Sequence, residues 1–325
     1  MSTLKSGVIS LFVVPVLTAL SCTLGQVPNT EGTSETGNEV HARELINRPD
    51  LEPLVESQPN SRGVKATLAT KDIGIGTNRI SFLLTSPSGF ITVPAVTVTP
   101  VLVSETQGQP SDLSPVIATF RAWPYGDRGL YVTSIDFDRD GAWLLNVAVT
   151  EGKETSMVSI PIDVHASTNA PMNGEMAPKS NNRTLTDVQD IQELTTGSLH
   201  DPELYQISIA DTILGRRPAV VVFASPAFCL NAVCGPQVEV LQSLKTTFGK
   251  GASFIHIDFY DNPREIQGDL TRAIISPTVR EWGLPSSEWT FMIDEHGRVT
   301  NRFEGFANYN ELANELATLL RVQPR

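Results

Sequence analysis

The stretch Val220-Val221-Val222-Phe223-Ala224-Ser225-Pro226-Ala227-Phe228-Cys229-Leu230-Asn231-Ala232-Val233-Cys234-Gly235-Pro236 decides how this chain is read. Its apolar run, 219–223, is short and continuous, which predicts a strand buried on both faces. Behind the cysteines, Val238, Leu241, Leu244 and Phe248 recur at helical spacing, and Gly249 and Gly251 end that helix. The cysteines thus lie where a strand crosses into a helix. A helix N-terminus offers unpaired N–H groups and the positive end of its dipole, and both stabilise thiolate, the attacking form of cysteine.

Toward the C-terminus, residues 254–259 read as a second strand and 264–275 as a helix. Residues 289–293 and 298–303 flank Asp294-Glu295-His296-Gly297, a hairpin connection. Leu312, Leu316, Leu319 and Leu320 mark a closing amphipathic helix.

This order, with the Phe-Ala strand end, the cysteines and the Gly-Pro of the following helix, resembles thioredoxin-like proteins of the redoxin type over residues 200–322. The resemblance implies an α/β fold over 191–325, a central mixed sheet flanked by helices. It also implies cofactor-free thiol–disulfide exchange by Cys229 and Cys234, with Pro226, Phe228, Gly235, Pro236, Glu288 and Trp289 lining the site.

Three features depart from the family pattern. The spacing is Cys-x-x-x-x-Cys, which in a regular helix sets the two side chains about 140° apart. That places Cys229 in the loop and Cys234 at the first helical turn, where a disulfide is geometrically possible. Alternatively, Cys234-Gly235-Pro236-Gln237 aligns with Cys-Gly-Pro-Cys and Gln237 replaces the resolving thiol, so which cysteine attacks stays open. The family's cis-proline position holds Glu288, with Pro285 three residues earlier. The strand before the cysteines lacks the family's buried acid, which leaves His256 and Asp258 on the next strand as candidate proton acceptors.

Residues 63–167 alternate with period two. Ile80, Phe82 and Leu84 share one face, as do Trp143, Leu145, Val147 and Val149, and again Val158, Ile160, Ile162 and Val164. Turn signals recur at 86–89, 124–127 and 138–141, so a β-sandwich is expected. Residues 131–143, with Gly141-Ala142-Trp143 after an acidic turn, resemble the last hairpin of small immunoglobulin-like extracytoplasmic domains. Residues 168–190, broken by Pro171, Gly174 and Pro178, read as a linker.

The chain opens with Lys5, an apolar run at 7–20 and then Ser21-Cys22. This is the order of a secretory signal over 1–21. Cys22 resembles the lipobox cysteine of bacterial lipoproteins, which implies lipidation there and anchorage on the extracytoplasmic face of a cell membrane. Residues 22–62, polar and without periodicity, read as a flexible tether.

The chain carries a net charge of -12. Such a charge repels nucleic acid and anionic lipid headgroups. With Cys22 lipidated, only Cys229 and Cys234 of the three cysteines remain for redox chemistry, in a compartment where disulfides persist. The expected partners are extracytoplasmic protein thiols or disulfides, with the membrane reached through lipid and no nucleic acid.

A non-catalytic binding module stapled by a structural disulfide is the main alternative. A thiol peroxidase shares the cysteine spacing, but Pro226 stands where those enzymes carry Thr or Ser, with Ser225 one place too early. Copper transfer would draw on His200, His256 or His296, or on Met172, Met176 and His165, and none has diagnostic spacing. The histidines form no cluster that would suggest zinc.

Overall fold

The computed structural model describes residues 54–103, 113–198, 200–228 and 236–323. The expected signal sequence, Cys22 and most of the tether lie outside the described residues, as do Cys229, Cys234 and Gly235.

Eight strands come first: β1 (Lys65–Leu68), β2 (Gly76–Ser86), β3 (Gly89–Phe90), β4 (Ala95–Leu102), β5 (Val116–Ala122), β6 (Gly129–Phe137), β7 (Gly141–Glu151) and β8 (Glu154–Val164). They form a single antiparallel sheet in the order β1-β2-β6-β5-β4-β7-β8, with β3 paired to β2. The period-two alternation puts one face inward. On β8, Val158, Ile160, Ile162 and Val164 are buried while Glu154, Met157, Ser159, Pro161 and Asp163 point out.

The sheet curls until β1 lies against β8. Backbone bonds between Ile75 N and His165 O (3.0 Å) and between His165 N and Ile73 O (2.9 Å) tie the two edges together. Ile80, Phe82, Tyr131, Trp143 and Ile160 meet in one enclosed core. The expected β-sandwich is corrected here: the inward faces of a single curled sheet cover one another, giving a nearly closed barrel rather than two stacked sheets.

A second, four-stranded sheet holds β9 (Ala219–Ala224), β10 (Ser253–Asp258), β11 (Trp289–Ile293) and β12 (Val299–Glu304), in the order β10-β9-β11-β12. Every residue of β9, β10 and β11 is buried. One face packs Val220, Val222 and Met292 against Leu241 and Leu244 of α2 (Gln237–Phe248) and Leu312 and Leu316 of α5 (Tyr309–Leu319), together with Leu83 and Leu130 of the barrel. The other face packs Val221, Phe223, Ile255 and Phe291 against Trp282 and Ile209.

The remaining helices are short: α1 (Ile209–Leu214), α3 (Pro263–Ile266) and α4 (Pro277–Glu281). The expectation of an α/β thioredoxin-like fold is therefore corrected too. The chain is mostly β, a barrel-like sheet plus a small sheet with few helices. Part of the reason is local: the helix expected over 264–275 stops after one turn, because Gln267 (φ 48°) and Gly268 (φ 84°) turn left-handed.

Residues 48–325 form one compact unit. Its two sheets are joined by charge as well as by apolar packing. Asp72, fully buried, pairs with Arg302 at 3.0 Å and accepts from the backbone of Asn169 and Ala170. Arg79 holds Glu311 in a two-pronged contact of 2.7 and 3.0 Å and also donates to the carbonyls of Glu304 and Phe306. Glu304 accepts from the backbone N–H groups of Lys71 and Asp72. The stretch expected to act as a linker follows this seam and pairs with β12, with Gly174 N on Val299 O (2.7 Å) and Val299 N on Glu175 O (2.9 Å). Among the described residues no helix is long and apolar enough to cross a membrane.

Candidate functional site

At the C-terminal ends of β9 and β10 the chain buries two titratable side chains. His256 pairs in register with Val222, and Asp258 with Ala224. His256 Nε2 lies 3.1 Å from Ala224 O, an acceptor, so Nε2 carries the proton. Nδ1 then accepts from the Tyr205 hydroxyl at 2.7 Å. Burial pushes His256 down to about 4, against the opposing pull of the Ala224 carbonyl. Both ring nitrogens are committed, which gives His256 a structural role rather than that of a proton acceptor.

Asp258 is different. Burial pushes it up to about 6, although every hydrogen bond it accepts favours the ionised form. The donors are the Ser225 hydroxyl, Thr196 N (2.6 Å), Thr196 Oγ1 (2.8 Å) and Tyr260 N (3.1 Å). Thr196 Oγ1 in turn accepts from Ala227 N at 3.3 Å. One carboxyl therefore fastens the loop around Thr196 to the turn that leaves β9.

Over this clamp opens a cavity of about 490 Å³. Its walls are Thr195 to Ser198, Ala224 to Phe228, the start of α2 and the pair Ser287 and Glu288. The barrel supplies the remaining wall from the β5–β6 hairpin, through Trp123, Tyr125 and Arg128. Tyr125 donates to Glu239 of α2 at 2.6 Å. Trp123 stands edge-on to Phe306, with ring centroids 6.0 Å apart, and Arg128 lies 5.5 Å over its ring. Gln237, at the first position of α2, is 1% exposed; its Oε1 accepts from Ala307 N at 3.0 Å, and its Nε2 meets no acceptor among the described residues.

The structure gathers Pro226, Phe228, Pro236 and Glu288 around this cavity. Pro226 is exposed, Phe228 packs against Tyr260 with ring centroids 6.0 Å apart, and Glu288 is buried. Both Pro285 and Glu288 follow trans peptide bonds. Trp289 points the other way, because neighbouring strand residues face opposite sides. Its ring stacks on Phe291 and its Nε1 donates to Ser286 Oγ at 3.0 Å, so it serves the core rather than the site. Phe228 and Pro236, the residues that bracket 229–235, both stand in the cavity wall.

Trp123, Tyr125, Arg128 and Thr196 are site residues that sequence reasoning missed. For the first three the one available signal was a turn, Pro124-Tyr125-Gly126-Asp127, that follows Trp123 and carries Tyr125 where a hairpin tip is ordinarily polar. The candidate copper ligands are scattered: Met172 sulfur contacts Arg302, Met176 is exposed beside Arg298, and His200 bonds Gly197 O. No three His, Cys, Asp or Glu side chains converge as a metal site among the described residues. Comparison with protein-family models, with curated proteins and with solved structures gives no match for this chain.

Proposed function

We propose, from this chain's own chemistry since no relative supplies one, that it is a membrane-anchored extracytoplasmic thiol–disulfide oxidoreductase working through Cys229 and Cys234. The observation that carries the reading is that the residues on either side of the cysteine segment, Phe228 and Pro236, both belong to the wall of one cavity. The cysteine count supports it, because lipidation of Cys22 leaves only that pair for redox work. The thiolate of one cysteine attacks a sulfur of a substrate disulfide and releases the other substrate sulfur as a thiolate, which takes up a proton. The second cysteine then attacks the mixed disulfide, leaving the substrate as a dithiol and the pair oxidised. The reverse sequence oxidises a substrate dithiol.

Asp258, pushed up to about 6 by burial and bonded to Ser225 of the cavity wall, is a titratable group available for moving protons. The lipid on Cys22 confines the exchange to substrates near the membrane, since two or more acyl chains anchor durably where one does not.

The deciding experiment is the reduction potential of the Cys229/Cys234 couple, by equilibration of the full chain in glutathione buffers with thiol trapping. A value between about -270 and -120 mV, the span of exchange catalysts, is expected. A value below about -300 mV marks a structural disulfide and replaces the reading with a non-catalytic binding module, which the cavity also suits.

A further inference from the structure

We infer that the cavity is a receptor for an aromatic side chain on an extended, uncharged polypeptide segment, with the β5–β6 hairpin of the barrel as its specificity wall. The identification of the ligand as polypeptide rests on the exchange reading; the chemistry of the receptor does not. At about 490 Å³ the cavity falls in the range of ligand sites. Trp123, Tyr125, Phe228 and Val238 give it an apolar lining, and aromatic rings pair favourably with one another.

Gln237 adds a polar group to the cavity wall. The orientation of its amide is set by Ala307 N, which requires an oxygen opposite it, so the other end of the amide is a donor. That donor is buried and unmatched among the described residues, a state native proteins rarely leave uncompensated. Because this donor is closed to solvent, a bound segment displaces the wall beside it to supply a peptide carbonyl as the missing acceptor, while the adjacent aromatic side chain fills the apolar space. Charge recognition plays little part, because of the charged side chains in the wall Arg128 lies over the Trp123 ring, Glu239 is engaged by Tyr125 and Glu288 is buried.

The test uses the full chain with both Cys229 and Cys234 changed to Ser, so that binding is read apart from exchange. Calorimetric titration with acetyl-Gly-Phe-Gly-amide and acetyl-Gly-Ala-Gly-amide is expected to show the phenylalanine peptide binding at least about tenfold more tightly. Trp123 is the one tryptophan of four that is not buried, so saturation with the phenylalanine peptide should also change the intrinsic fluorescence. Trp123→Ala, on a half-exposed hairpin, is expected to erase the preference. Gln237→Glu, which keeps the acceptor for Ala307 N and loses the donor, is expected to weaken binding about tenfold.

Equal affinity for the two peptides, absence of binding, or parental affinity in both variants overturns the inference and leaves the exchange reading standing. A structural reduction potential with the peptide preference intact overturns the exchange reading and leaves the receptor.

Discussion

The barrel and the four-stranded sheet solve the same problem, covering apolar strands, in opposite ways. On β7 and β8 the barrel keeps one face in water, so these strands alternate strictly and their charged side chains stay in solvent. Strands β9, β10 and β11 are covered on both faces, so any polar residue placed there is desolvated. His256, Asp258 and Glu304 are all shifted with burial as the largest cause. The difference teaches which groups burial tunes in each region: a histidine and carboxyls in the small sheet, but in the barrel a phenol, Tyr131, pushed further up. The barrel reaches the site through the β5–β6 hairpin, and it meets the small sheet again where Lys71 and Asp72 donate to Glu304.

The harshest way to break this comparison is to cut the charged seam between the two regions. Asp72→Ala strands Arg302 and leaves Asn169 N and Ala170 N without their acceptor, and is expected to cost about 3–5 kcal/mol in urea denaturation. An unchanged midpoint would mean that the Asp72 carboxyl adds nothing to the other contacts between the two sheets.

The next effect sharpens the contrast within the small sheet. Between about pH 4 and 6.5 an unfolded histidine holds a proton that folded His256 lacks, so its contribution makes stability rise with pH. Across pH 3.8 to about 6, folded Asp258 holds a proton that the unfolded chain has lost, so its contribution makes stability fall with pH. The two oppose each other over most of one window. Asp258→Asn should therefore show stability climbing from pH 4 to 6.5, and His256→Gln should show it declining, when urea midpoints are followed against pH. Identical slopes in both variants would remove the proposed desolvation of this pair.

The mildest effect belongs to the solvent side. Lys245 pairs with Asp201 at 2.7 Å and with Glu203, all partly exposed, and Lys245→Ala is expected to cost less than about 1 kcal/mol. A loss as large as that of Asp72→Ala would show that exposure does not separate the two kinds of ion pair here.

Much of the local structure was legible because it depends on neighbours in the chain. The apolar run before the cysteines, the 3.6-residue recurrence after them and the Asp294-to-Gly297 turn each correspond to an observed strand, helix or hairpin. The period-two faces named around Phe82, Trp143 and Ile160 all point into the barrel core.

What pattern could not supply was the partner of each face. Alternation says which side of a strand is buried but not whether a second sheet or the same sheet covers it, and here the sheet curled onto itself. The site divides in the same way. The sequence by itself determined Pro226, Phe228, Pro236 and Glu288 as candidates, since three of them neighbour the cysteines. Only the tertiary structure decided that Trp289 turns into the core, that Thr196 and Ser225 share the Asp258 carboxyl, and that Trp123 and Gln237 meet across 114 residues of chain. Burial and long-range hydrogen bonding arise when distant segments exclude water together, and no local pattern records that.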